Sequence, residues 1–228
     1  MTTNIDKTTI KCAVFDLDGT LLNTIKTINH YLNLALSEYG LGNISEQDCM
    51  SFVGDGAVKL IERALYNVGA DNCYFDRVFE LYNRLYNASP YYLTEVYQGI
   101  PELISELKGM GIKLCVLSNK PDFATRKAID KFLPDSFHIV RGGIDGVPLK
   151  PSPDALDYIM GELSVTKDQT LYVGDSEVDV MTAMNAGISK AVFVTYGFRS
   201  RAQLIEAGAK CVVDDPNKIF AIIKTDVT

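Results

Sequence analysis

The sequence predicts a doubly wound α/β fold: a parallel, Rossmann-like sheet flanked by helices, with a helical cap domain inserted near its start. Two observations carry this. Short apolar, β-branched runs recur along the chain, at Ile10 to Phe15, Ile112 to Leu117, Phe137 to Val140, Leu171 to Val173, Ala191 to Thr195 and Cys211 to Val213, and stretches of helical period separate the later ones. The regularity breaks once, because about 85 residues lie between the first run and the helix before the second, where a βα unit needs only about 30.

Taken in chain order, Ile10 to Phe15 is apolar throughout, as expected for a strand covered on both faces. The segment that follows is helical. Ile25, Ile28, Leu32, Ala35, Leu36 and Tyr39 mark one stripe, Val58, Ile61 and Leu65 mark a second, and a third helix rich in Tyr and Phe is expected over Cys73 to Asn87. Residues 21–92 are therefore assigned to the cap, with Gly19 to Leu22 and Ser89 to Leu93 as hinges, and residues 1–20 and 93–228 to the core. In the core, helices are expected at Pro101 to Lys108, Asp122 to Phe132, Pro153 to Leu163, Val178 to Ala186 and Arg201 to Ala207. Their alternation with the apolar runs implies a parallel sheet with helices on both faces.

Composition bounds the function. The 228 residues carry a formal net charge of −7, which argues against nucleic acid as partner. The same negative field repels a phosphorylated substrate, so a phosphate-handling site here needs a local cation such as a bound divalent metal. No stretch approaches the roughly 20 apolar residues needed to span a bilayer, so no membrane partner is expected. The five cysteines, Cys12, Cys49, Cys73, Cys115 and Cys211, are far apart and form no metal-binding spacing, which fits a reducing, cytoplasmic compartment. A monomer is the default expectation.

Four groups of chemically capable residues each stand just past an expected strand end. Asp16-Leu17-Asp18-Gly19-Thr20 follows the first strand, at the edge where open α/β sheets bind ligands. Two carboxylates this close repel unless a cation or a shared proton separates them, so they point to a metal site or an acid/base pair. Gly174-Asp175-Ser176-Glu177-Val178-Asp179 is a second strand running into carboxylates, with Asp179 on the first turn of the next helix, placed to hold a metal's waters or to orient its ligands. Ser118-Asn119-Lys120 offers a hydroxyl and backbone N–H groups to a phosphate oxygen. Lys150 stands before Pro151, which restricts its backbone and so the direction of its side chain. His30 and His138 fall on an expected helix and strand and are assigned structural roles.

These motifs, DLDGTL at 16–21, LSNK at 117–120, KPSP at 150–153 and GDSEVDVMTAMNAG at 174–187, resemble the four motifs of the haloacid dehalogenase superfamily, in order and over nearly the whole chain. Within it the chain is similar to the phosphoglycolate phosphatase-like branch. The resemblance implies a magnesium-dependent phosphatase of small phosphorylated metabolites. Asp16 would be the nucleophile, Asp18 the general acid and then base, and Ser118 and Lys150 would hold the phosphoryl group. Mg2+ would be bound by the Asp16 carboxylate, the Asp18 main-chain carbonyl and Asp175, with Asp179 in support. Thr20 and Asn119 join the substrate-binding set, together with Gly54, Asp55 and Gly56 of the cap loop. Asn23-Thr24 departs from the pattern, since many relatives have an Asp first. Tyr196-Gly197-Phe198-Arg199 resembles the family's closing loop, with no catalytic role given to Arg199. A sugar phosphomutase or a pyrophosphatase of the same superfamily shares these motifs, and a non-enzymatic binding module is the rival of a different class. A dehalogenase is disfavoured because it has no use for an acid such as Asp18.

Overall fold

The computed structural model describes residues 10–227. Its central sheet is built from β1 (Cys12–Phe15), β4 (Lys113–Pro121), β5 (Ile139–Gly143), β6 (Thr170–Gly174), β7 (Lys190–Val194) and β8 (Val212–Val213). These strands run in the order β5-β4-β1-β6-β7-β8, and every paired neighbour is parallel. Between the strands lie helices α5 (Ile100–Gly109), α6 (Asp122–Phe132), α7 (Asp154–Leu163), α8 (Glu177–Ala186) and α9 (Arg201–Glu206), and α10 (Pro216–Val227) closes the chain.

Strand β1 is buried at every residue because both its faces are covered. Successive side chains on a strand point to opposite faces. Ala13 and Phe15 join the apolar layer formed with Ile100, Leu103, Leu107, Ile219 and Ile223 of α5 and α10. Cys12 and Val14 pack with Leu156, Ile159, Val180 and Ala183 of α7 and α8 on the other side. Cys12 and Cys115 are free thiols packed as small core residues. The chain winds one way from β1 to β4 and β5 and the other way to β6, β7 and β8. That reversal opens a crevice at the C-terminal ends of β1, β4 and β6, the usual ligand site of such sheets.

Residues between β1 and α5 form a helical unit with its own apolar cluster. The apolar stripes predict three helices there, and the structure has four: α1 (Ile25–Ser37), α2 (Glu46–Phe52), α3 (Ala57–Asn67) and α4 (Phe75–Ala88). The additional α2 buries only Cys49, so it presents no apolar stripe to read. It is marked instead by Ser45, whose hydroxyl accepts from the Asp48 N–H at 3.0 Å as an N-cap. Helix α10 was likewise not anticipated.

The two chain segments that join this unit to the sheet also differ from simple hinges. They pair as an antiparallel ribbon, β2 (Leu22–Asn23) with β3 (Glu95–Val96), too short for period-2 patterning to reveal. Thr27 and Thr94 hydroxyls meet at 2.9 Å beside it. At the departure noted above, Asn23 Oδ1 and Thr24 Oγ1 are buried without hydrogen-bond partners among the described residues. None of the described helices is long and apolar enough to cross a membrane.

Candidate active site

The site is assembled by backbone first. The Asp16 N–H continues the sheet ladder by donating to Val173 O at 2.9 Å, which fixes the first carboxylate at the crevice. The chain then coils tightly, with the N–H groups of Leu21 and Leu22 both donating to Leu17 O at 3.0 Å. Gly19 makes this turn possible: its φ is +91°, and a Cβ there would collide with the Asp175 carboxylate. A Cβ on Gly197 would strike the same carboxylate and the Gly19 carbonyl oxygen. Asp175 is thus enclosed by two backbone segments that only glycine lets approach.

Side chains complete the arrangement. Lys150 Nζ donates to Asp16 Oδ1 at 2.7 Å and to Asp179 Oδ1 at 2.8 Å. Asn119 aims it: its Oδ1 accepts from the Lys150 N–H at 2.8 Å and its Nδ2 donates to Lys150 O at 2.9 Å. Asp179 is fully buried and saturated. Its Oδ1 also accepts from the Tyr172 hydroxyl at 2.8 Å, and its Oδ2 from the Ser176 hydroxyl at 2.6 Å and the Asp175 N–H at 3.2 Å. Ser176 in turn caps α8, so helix capping and site construction share the same atoms. Asp175 accepts from the Thr20 hydroxyl at 3.1 Å and the Phe198 N–H at 2.8 Å. Asp18 receives Lys120 Nζ on both oxygens, at 2.8 and 2.9 Å.

Burial dominates the electrostatics. It pushes Asp16 up to about 7 against the pull of the Lys150 ammonium, and it lifts Asp175 well above the usual carboxylate range, with Asp16 and Asp179 adding to the rise. Burial also opposes ionisation of Asp179, yet Lys150 and its other donors hold it below the ordinary value. For Lys150, burial alone would favour the neutral amine, but the charges of Asp16 and Asp179 keep it an ammonium. Asp16, Asp175 and Asp179 each offer a carboxylate oxygen, all within 4.8 Å of one another. Three buried acids, of which only Asp16 and Asp179 bond the Lys150 ammonium, are short of positive charge, and their hard oxygen donors suit a small divalent cation.

Asp16, Asp18, Ser118, Asn119, Lys150, Asp175, Gly54 and Gly56 line one cavity of about 70 Å³ between the sheet edge and the helical unit. Asp179 lies behind Lys150. Two expected substrate-binding residues do not line it. The Thr20 hydroxyl is spent on Asp175, which makes Thr20 a support for that carboxylate. Asp55 pairs with Arg63 Nη2 at 2.6 Å, at a partly exposed position on the helical unit; a cation eight residues along the chain claims its charge. Asn119 does reach the loop, donating to Gly54 O at 3.0 Å.

The structure adds residues that sequence reasoning left without a role. Lys120, 8% exposed, joins the site through Asp18 and lies 4.7 Å from the Tyr86 ring centroid. Its place in the LSNK motif is the signal that could have found it. Arg199 joins the sheet side to the helical unit: its Nε meets both Glu177 oxygens at 2.8 Å, its Nη1 donates to Met50 O, and its Nη2 donates to Val53 O at 2.8 Å. It thereby satisfies carbonyls at the C-terminal end of α2.

Comparison with known proteins agrees with this geometry. A profile of the family described as haloacid dehalogenase-like hydrolase matches residues 13–193. A phosphoglycolate phosphatase of Rhodospirillum rubrum is 35% identical over 212 residues, covering 90% of this chain and 87% of its own. One from Pseudomonas syringae pv. tomato is 31% identical over 215 residues, covering 92% and 78%. Among solved structures, a candidate phosphoglycolate phosphatase from Lactobacillus delbrueckii subsp. bulgaricus superimposes with a TM-score of 0.86 at 30% identity, covering 94% of this chain and 98% of that one. With the same fold, the four motifs at one crevice and relatives matched along most of their length, the chain belongs to the haloacid dehalogenase-like hydrolases and is a phosphatase of their phosphoglycolate phosphatase-like branch.

Proposed function

We propose that the protein hydrolyses compact phosphomonoesters, with Mg2+, through an aspartyl-phosphate on Asp16. The observation that carries this is the Asp16 carboxylate itself, anchored by Lys150 at 2.7 Å and opening with Asp18 and Ser118 on one cavity. Asp16 oxygen attacks phosphorus, the ester P–O bond breaks, and the departing oxygen takes the electron pair and a proton from Asp18. Asp18, now a carboxylate, accepts a proton from water as the water oxygen attacks phosphorus. The bond to Asp16 breaks and inorganic phosphate leaves. Ser118 and Lys150 hold the phosphoryl oxygens throughout. Mg2+ would be held by the Asp16 and Asp175 carboxylates and the Asp18 main-chain carbonyl, and would supply the positive charge that lets one anion approach another. Asp179, with its oxygens committed to Lys150, Tyr172 and Ser176, positions Lys150 and the Asp175 backbone.

In this reading residues 21–92 act as a cap that closes over the substrate and excludes water. Arg199 is the latch. Arg199→Ala is expected to lower kcat/KM on p-nitrophenyl phosphate about tenfold, the loss typical of a charge-assisted hydrogen-bond set, and to speed amide hydrogen exchange in residues 50–53. Unchanged exchange there would remove the latch. Asp55→Ala, by contrast, removes only a partly exposed ion pair with Arg63. It is expected to cost at most about 1 kcal/mol of stability and to leave the ratio of kcat/KM between any two substrates within twofold, as denaturation and steady-state assays would show.

The activity itself is tested by release of inorganic phosphate from p-nitrophenyl phosphate and from a panel of compact phosphometabolites. Metal-dependent release is expected. A folded protein that frees no phosphate from any of them would sink the proposal.

A further inference from the structure

Lys150 is held by its main chain as well as by its carboxylate partners. Its N–H donates to Asn119 Oδ1 at 2.8 Å and its C=O accepts from Asn119 Nδ2 at 2.9 Å, so one side-chain amide grips the backbone of Lys150 on both sides. Asn119 Nδ2 also donates to Gly54 O of the cap loop, at 3.0 Å. Both hydrogens of that amide nitrogen are then spent, and the side chain has no other donor. Asn119 is 7% exposed and lines the cavity, yet its side chain has nothing left to give a phosphate oxygen.

The loop that Asn119 holds is seated at further points. Arg199 Nη2 donates to Val53 O at 2.8 Å and its Nη1 to Met50 O. A Cβ on Gly56 would lie 3.4 Å from Leu149 Cδ1 and 3.6 Å from Asn119 O, so the loop rests on Asn119 and on the residue before Lys150. With the loop seated, the amide is fixed at three corners. With the loop withdrawn, its two remaining bonds go to a single residue and water can compete for them. The consequence falls on Lys150, whose Nζ must meet Asp16 Oδ1 at 2.7 Å.

We infer that Asn119 is a positioning residue that makes the aim of Lys150 depend on the cap loop. Gly54 O fixes the amide, the amide fixes the backbone of Lys150, and Nζ is thereby held at Asp16 and at the phosphoryl group. This rests on the phosphatase reading of the same site and goes beyond it, because a cap that only excluded water would leave Lys150 where it is. A second route from Arg199 to Lys150 exists through Glu177 and α8, since Arg199 Nε bonds Glu177 and Asp179 bonds Lys150. The test has to separate the two.

Residue-resolved amide hydrogen exchange on the full chain reads the link in both directions, because coupling between two sites is reciprocal. Asn119→Ala is expected to speed exchange of the Val53 N–H, which donates to Cys49 O within the cap, about fivefold, the loss of one net hydrogen bond. Arg199→Ala is expected to speed exchange of the Lys150 N–H by the same factor, with the Val180 N–H, which donates to Ser176 O on α8, unchanged. In steady state Asn119→Ala should lower kcat on p-nitrophenyl phosphate about a hundredfold and move KM less than about threefold, as misaiming a reacting group does. Unmoved exchange at Val53 in the first variant or at Lys150 in the second would overturn the coupling. A change at Val180 as large as that at Lys150 would also overturn it, by routing the effect through α8. A loss that fell on KM with kcat kept would make Asn119 a substrate contact and end its positioning role. The Arg199→Ala arm keeps Asn119 in place, so it decides the link even if Asn119→Ala does not fold. Exchange needs no turnover: a wild-type protein that frees no phosphate would overturn the phosphatase reading, while the exchange results would still judge the link between the loop and Lys150.

Discussion

Replacing Asp16 by Asn is expected to lower kcat by about 10⁴-fold or more while leaving the protein folded. The amide keeps the shape of the carboxylate but is a poor nucleophile, so only the covalent step is lost. The fold should survive because Lys150 retains Asp179 at 2.8 Å, so its buried ammonium keeps an anionic partner. The neutral amide also removes the Asp16 charge that adds to the effect of burial in raising Asp175. Steady-state kinetics with a thermal melt of the same sample makes the comparison. A folded variant retaining more than a tenth of wild-type kcat would assign the nucleophile elsewhere.

Removal of divalent metal is the second large effect. Exhaustive dialysis against EDTA is expected to abolish phosphate release, and added magnesium to restore it. Asp16, Asp175 and Asp179 hold three acids within 4.8 Å of one another, with Lys150 bonded to two of them, so a further cation is needed to keep all three ionised beside an anionic phosphate. Calcium is expected to inhibit, because its preference for more oxygen ligands favours bidentate capture of Asp16, and a carboxylate held by both oxygens is a poor nucleophile. Full turnover in EDTA after dialysis would take the metal out of the mechanism.

The sheet-edge part of the candidate site was legible in the sequence to the extent that Asp16, Asp18, Ser118, Lys150 and Asp175 line one cavity. Asp16, Asp18 and Asp175 follow strands, Ser118 lies toward the C-terminal end of β4 and Lys150 in a proline-flanked turn, and a parallel sheet brings such positions together whatever lies between them. Long-range contacts were harder to read. Arg199 reaches Val53 of the helical unit across 146 positions with nothing local to mark the pairing, and Lys120 reaches Asp18 across 102 positions at the sheet edge, signalled only by its place in LSNK. Asp55 has a local partner, Arg63, but a Gly-Asp-Gly turn reads alike whether its carboxylate faces a ligand or a neighbouring helix. Thr20 read as a ligand-binding hydroxyl because the approach of Asp175, which accepts from it, depends on Gly197, far along the chain, as well as on the adjacent Gly19. Helix α2 and the β2–β3 ribbon are too short for periodicity, and only the Ser45 cap left a trace.

The measurement that bears most directly on the mechanism is rapid acid quench of the protein with a ³²P-labelled phosphomonoester, followed by peptide mapping at low pH, where an acyl phosphate survives. Label is expected on the peptide that contains Asp16, appearing before free phosphate and absent from the Asp16→Asn variant. Phosphate released with no labelled peptide at any time, or with label on a residue other than Asp16, would contradict the aspartyl-phosphate mechanism.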